Sequence, residues 1–462
     1  DILQVAVDAD NGAIYFGKNN TFLGSSDPTS GSSKTGAGAT WTPSSYAGGW
    51  VPSGGHQGGN GGALYMNWGQ DSTFAGARSA GGNADENGFG DFVYSPPSGY
   101  LALCSANLPL ASELDPAETN DNYVGGKQFN VVTYTGNGGA QSITGVGFQP
   151  DIAFVKCTST TQSWRLADSS RGAKTLYPDQ NLDQDDMAIS FTSDGFDWGT
   201  GTGAANNSNT SSRTYDAFCF KVNGGTTASN SNGQTTSTVQ VNQDAGVSIV
   251  EYAGSLSSSG TKTIGHGLSK APELIIIKNT DKNGRWYVWH VGMSGANYML
   301  ELNTTAAESD KSGNGNMSLP TNQVFSTNYT EGSNESPYNN VAWCWHSVEG
   351  YSKFGRYTGA GNSNGTFVYT GFRPKWVFVK KINEASTTYG WANFNTTHQT
   401  SNQQYFSGGW FDTAAGFSGN YGFDILSNGF KHRNNNTNLD ASSKTYIYGA
   451  WGDVPFKYNN TF

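Results

Sequence analysis

The chain has 462 residues, a formal net charge of −10, 13% charged and 13% aromatic residues, 62 Gly and 4 Cys. Charge at about half the usual ~25%, abundant aromatics, no stretch approaching about 18 apolar residues and no Lys/Arg run argue against a disordered chain, a helical bundle, a membrane span and a nucleic-acid binder. What remains is the profile of an all-β protein of several domains. The first predicted elements form a hairpin. Ile2-Leu-Gln-Val-Ala-Val-Asp8 alternates like a strand in mid-sheet, and Asn11-Gly12 separates it from Ala13-Ile-Tyr-Phe16. Asn-Gly between alternating runs predicts a two-residue type I′ turn. The Asp8-x-Asp10 spacing does not suit an EF-hand calcium loop, which needs its Gly one position later.

Met66-Asn-Trp-Gly-Gln70 and the string Phe92 to Pro109, "FVYSPPSGYLALCSANLP", come next. With the opening hairpin they resemble the second half of a SPRY domain, a concanavalin-like β-sandwich, over residues 1–110. The long Gly-rich insert at 76–91 departs from that pattern, and the strands expected before residue 1 are missing. Half a sandwich would expose an unpaired edge and an apolar face, so the resemblance implies that the sequence begins partway through a longer polypeptide.

Beyond a linker at 111–126, three segments align with one another. Copy one (127–222) reads Tyr134-Thr-Gly136, then Pro150-Asp-Ile-Ala-Phe-Val-Lys156, then Trp164. Copy two (245–348) reads Tyr252-Ala-Gly254, then Pro272-Glu-Leu-Ile-Ile-Ile-Lys278, then Trp286. Copy three (349–458) reads Tyr357-Thr-Gly359, then Pro374-Lys-Trp-Val-Phe-Val-Lys380, then Trp391. The copies close alike, on Tyr215–Phe220, Asn340–Trp345 and Tyr446–Trp451. Four apolar residues after each Pro predict a strand buried on both faces, with Pro tolerated at its start. The Tyr-x-Gly strand alternates and predicts one wet face. At about 100 residues each copy is large enough for its own core, so the expected arrangement is antiparallel β-sandwich or jelly-roll-like beads on a string. Residues 223–244, rich in Gly, Ser, Thr and Asn, read as a linker. Copies two and three abut at 346–353, and the equivalent of the Gly-turn strand around 322–329 of copy two is degenerate.

Candidate chemistry is sparse. Cys104, Cys157, Cys219 and Cys344 form no CxxC and read as buried thiols. The six histidines do not cluster at metal spacing, no Gly-x-Ser-x-Gly elbow is present, and no facing carboxylate pair of the glycosidase kind stands out. Asp183, Asp185 and Asp186 of copy one form the single acidic cluster, a solvated loop or a weak calcium candidate; no other cofactor is expected. Trp164, Trp286 and Trp391 recur with the core strands and read as core. Tyr405, Trp410 and Phe411, in a Gly-rich stretch unique to copy three, are candidates for an exposed glycan-stacking tip, and Trp289 of copy two, in the aromatic run Trp286-Tyr-Val-Trp289, is a further candidate.

"GFQPDIAFVK", "GFRPKWVFVK" and "YIYGAWGDVPFKY" resemble the repeated β modules of phage tail fibres and related virion proteins, which often follow a SPRY-like domain. The resemblance covers about 127–458. It implies a bacteriophage virion appendage, assembled in the host cytoplasm and extracellular when mature, contacting other virion proteins and a host-surface glycan, and by analogy a homotrimer. It implies no catalytic residue, no nucleic-acid partner and no membrane insertion. The alternatives are a capsular depolymerase of the tailspike kind, which would need a carboxylate pair in a groove, and a cellular surface adhesin or filament subunit, which would need a signal sequence ahead of residue 1.

Overall fold

Alternating β-branched and aromatic runs set between Gly, Asn and Ser clusters favour strands over helices. A computed structural model of the protein is 41% strand and 3% helical, with several antiparallel sheets. It describes residues 1–42, 65–103, 107, 128–199, 208–330, 333–386, 390–400, 402, 406–434 and 436–452. The chain divides into two compact units, 1–111 and 112–462.

In the first unit Leu3–Asp8 pairs antiparallel with Ala13–Lys18, Asp8 opposite Ala13. The loop is therefore four residues long, not the two-residue turn that Asn-Gly suggests. The Asp8 carboxylate explains the difference, because it accepts from both the Asn11 amide N–H (2.8 Å) and its side chain (2.9 Å). Of the pair, Gly12 alone has a positive φ, at 76°. Ala6, Ala13 and Tyr15 are buried, whereas Leu3, Val5, Val7 and Phe16 on the other face are exposed. The Gly-rich segment folds around Asp85, whose carboxylate accepts from the amides of Asn87, Phe89 and Ala102.

In the second unit all three copies repeat one plan. The Tyr-x-Gly strands (Phe129–Thr135, Val247–Ala253, Ser352–Thr358) pair with the closing strands (Thr214–Phe220, Asn339–Trp345, Thr445–Gly452). Each closing strand pairs on its other side with the post-proline strand (Ile152–Cys157, Leu274–Asn279, Pro374–Lys381). Next come the tryptophan strands Arg165–Asp168, Trp286–His290 and Trp391–Asn395. A small second sheet accompanies each: 141–143 with 189–198, 261–265 with 324–328, and 367–369 with 423–432. Two sequence readings change here. Residues 223–244 are not simply a linker, since Ala228–Asn230 and Ser237–Asn242 extend copy two's main sheet. The degenerate stretch of copy two holds a strand too, Val324–Asn328.

The post-proline strands decide the architecture. Side chains alternate across a strand, and Ala153, Val155, Val377 and Val379 face cores internal to copies one and three. Ile152, Phe154, Leu274, Ile276, Trp376 and Phe378 instead join one cluster shared by all three copies. At its centre the last aromatics of the closing strands meet pairwise, Phe220–Trp345 at 5.8 Å, Phe220–Trp451 at 5.4 Å and Trp345–Trp451 at 6.1 Å. The copies are not beads on a string. They close as a pseudo-threefold ring around an aromatic core, because each main sheet has a second apolar face that its own small sheet cannot cover.

Candidate functional site

The proposed aromatic tip is not exposed. Trp410 and Phe411 keep 2% and 3% of their surface, and Trp289 keeps 7%; Tyr405 lies outside the described residues. The glycines that made 408–411 read as a loop instead make room for rings. A Cβ at Gly409 would sit 2.1 Å from the Phe417 ring and one at Gly408 2.7 Å from the Phe394 ring. Phe406–Trp410 is accordingly a strand, Trp410 pairing with Ala392. Phe411 packs on Trp164 of copy one at 4.5 Å.

The recurring tryptophans are core, and they also join the copies. Trp164 Nε1 donates to the Trp410 carbonyl of copy three (2.8 Å). Trp286 donates to the Tyr177 and Gln180 carbonyls of copy one (2.9 and 3.0 Å). Trp391 donates to the Glu301 carbonyl of copy two (3.0 Å). Four residues on, the direction reverses. Asp168 accepts from Trp343 Nε1 of copy two (3.2 Å), His290 Nε2 donates to the Tyr448 carbonyl of copy three (3.1 Å), and Asn395 donates to Asp216 of copy one (3.0 Å). Every copy thus binds the one before and the one after, and the ring is closed by hydrogen bonds as well as by apolar contact.

Ionisable groups are drawn into the same junctions. Lys156, Lys278 and Lys380 stand six residues after each Pro and are fully buried. Lys156 donates to the Ala414 carbonyl of copy three (2.7 Å) and Lys380 to the Thr305 carbonyl of copy two (3.0 Å). Burial lowers all three ammonium groups from 10.5 to about 8. Cys157, Cys219 and Cys344 are free and buried; burial pushes the Cys219 and Cys344 thiols up, making them poor nucleophiles. Cys104 lies outside the described residues.

The acidic cluster is split among other tasks. Asp185 pairs with the buried Arg165 guanidinium (2.9 Å) and accepts from Thr175 (2.5 Å) and the Tyr177 hydroxyl (2.6 Å). Partial burial acts to raise its pKa, but these donors and the Arg165 charge hold it below the usual range. Asp186 pairs with Lys174. Asp183 is exposed, and its amide donates to Asn283 of copy two (3.1 Å). Two of the three carboxylates are thus paired with cations of the chain. Among the described residues no group of three His, Cys, Asp or Glu is placed to hold a metal. Replacing Asp185 with Ala leaves Arg165 buried without its carboxylate and should cost about 3 kcal/mol of unfolding free energy. Guanidinium titration with and without added calcium checks this, equal losses being expected.

The unit that emerges is all three copies together, closed on themselves. A family model described as "Domain of unknown function (DUF7483)" matches residues 124–455, well over half of the chain and the same three copies. The chain belongs to that family. No curated protein and no solved structure matches it. The match treats as one what the repeats divide into three, in keeping with a DUF7483 fold whose core is shared by all copies. Sequence reading passed over one class of residue in the DUF7483 region, the aromatics left outside that core. Phe367 and Tyr369 remain 43% and 59% exposed, and their alternation around Val368 was the available signal.

Proposed function

We propose that the chain is a structural protein of a bacteriophage virion, a tail fibre or similar appendage, which attaches to a host-surface glycan. The observation that carries this reading is the commitment of the three repeated Trp side chains, of Lys156 and Lys380 and of His290 to junctions between copies. A ring closed by side chains that elsewhere do chemistry suits a rigid presenting scaffold. The loops around it are rich in Asn, Ser, Thr and Gly, groups that hydrogen-bond neutral hydroxyls, and several weak sites on one particle would add through avidity. The module strings and their order after a SPRY-like segment support the same reading. Mass spectrometry of gradient-purified particles tests it. Peptides from 124–455 should co-sediment with capsid protein. Their recovery only from a cell-envelope fraction would make the protein an adhesin, and release of reducing ends from host polysaccharide would make it an enzyme.

A further inference from the structure

The small sheet of copy three carries a feature that its counterparts lack. Phe367–Tyr369 is one of its two edge strands, with Val368 opposite Phe430 in the interior. The matching interior residues of copies one and two are Ile143, opposite Phe196, and Ile264, opposite Phe325. Their outward neighbours are Ser142 and Thr144 in copy one and Thr263 and Gly265 in copy two. Copy three alone places two aromatics there. They project from the same face, about 6.7 Å apart along the strand.

The neighbouring strand leaves room for one of the rings, and two lysines stand close by. Gly429, opposite Tyr369, has no room for a Cβ, which would lie 2.0 Å from the Val368 carbonyl and 3.1 Å from the Phe367 ring. The Phe367 ring can therefore lean across the neighbouring strand. Lys431, opposite Phe367, donates to Asn364 (2.8 Å), and the Lys353 ammonium stands 5.9 Å from the Tyr369 ring centroid. Charge follows the same division. Residues 349–458 carry ten Lys/Arg against six Asp/Glu, whereas 127–222 carry seven against nine and 245–348 six against eight. The copy with the aromatic pair is the basic one in an acidic chain.

We infer that Phe367 and Tyr369 form a stacking platform for an anionic polysaccharide, with Lys431 and Lys353 facing its acid groups. Two half-exposed rings present on the order of 200 Å². A stable protein interface buries roughly 800 Å² per partner, but a sugar face needs only a ring-sized patch rimmed by hydrogen-bonding groups. The inference rests on the glycan-attachment reading and gives it a site and a ligand class.

The test is affinity electrophoresis of the full chain in gels cast with alginate or chondroitin sulfate and, for comparison, neutral dextran or laminarin. Wild type should be retarded by an anionic polysaccharide more than by either neutral one. The double variant Phe367→Ser, Tyr369→Thr, carrying the residues of copy one, should bind about tenfold more weakly with an unchanged melting temperature. Retardation equal in variant and wild type would overturn the site while leaving glycan attachment standing. No retardation of wild type in either anionic gel would overturn the ligand class, and adsorption of purified particles to host cells would then judge attachment separately. A wild-type dimer that the double variant converts to monomer in sedimentation would assign the face to self-association and overturn the inference as well.

Discussion

Trp451→Ala lowers the unfolding free energy of the 112–462 unit by about 4 kcal/mol and weakens all three copies together. Trp451 is 1% exposed and stacks on Trp376 at 4.6 Å. Its other ring neighbours include Phe354 and Phe378 of its own copy (5.3 and 6.0 Å), Phe220 and Phe129 of copy one (5.4 and 6.2 Å) and Trp345 of copy two (6.1 Å). Removing it opens a void that no single copy can refill, because the walls belong to all three. That void would merge with an existing apolar cavity of about 20 Å³ lined by Trp345, Trp376 and Trp451 among others. Water gains little there, since the lining offers no polar partners. Calorimetry distinguishes the ring from independent modules. A ring unfolds in one transition whose midpoint drops as a whole, whereas independent modules would show one shifted and two unshifted transitions. The second outcome would refute the shared core.

Much of this core was legible in the sequence, and its closure was not. Six-residue Pro-to-Lys spacing located the central strands, and four apolar residues in a row required cover on both faces. What those runs could not say is that the second cover comes from the other copies. The sizes at the axis show why. Copy three carries the large Trp376 opposite Trp451 and, two residues on, sets Phe378 opposite Gly449, whose absent Cβ would meet the Phe378 ring at 2.4 Å. At the same positions copies one and two carry the smaller Ile152 and Leu274 opposite Phe220 and Trp345, and the larger Phe218 and Trp343 opposite Phe154 and Ile276. The exchange makes sense only as volume shared among three chain segments, as when Trp376 lies 4.8 Å from Phe218.

The misplaced candidates have a similar cause. Gly408 and Gly409 suit an exposed loop or a strand crossed by rings, and the rings that decide it, Phe394 and Phe417, lie elsewhere in the sequence. The 223–244 stretch has a linker's composition, yet Val239 is buried within it and Gln240 accepts from the Asn223 and Gly225 amides while donating to Ser169 of copy one. Composition describes the average of such a segment, and pairing depends on its alternation. The acidic cluster misled because Arg165, twenty residues upstream of Asp185, meets it only across the turn of the sheet.

Acid is the second large lever. His290 and His266 are fully buried and held neutral by the same local device. In each, Nδ1 accepts a backbone N–H from two residues on, Gly292 at 2.9 Å and Leu268 at 3.1 Å. A backbone N–H can only donate, so Nδ1 carries the lone pair and Nε2–H donates, to Tyr448 and Thr321 carbonyls respectively. Protonating Nδ1 would set two donors against each other in a dry site. Burial accordingly pushes His290 down to about 3 and His266 to about 4, and it lowers buried His432 of copy three as well. In the unfolded chain all three titrate near 6.5. Their neutral state therefore favours the fold fully above about pH 6.5, and that advantage is lost as the pH falls toward 4, by about 1.4 kcal/mol per pKa unit for each histidine. Asp179, Asp412 and Glu251 oppose this in part, since burial raises them and their protonated forms favour the fold. A variant comparison separates the two effects. His290→Asn carries the residue that copy three places at the same position, Asn395, and should reduce the loss between pH 7 and pH 4 by about 3 kcal/mol. Guanidinium midpoints of both proteins at the two pH values give the difference. Equal losses would show that the copy two–copy three junction does not sense acid through His290. The expected inequality would make this ring open first where a neutral imidazole bridges two copies.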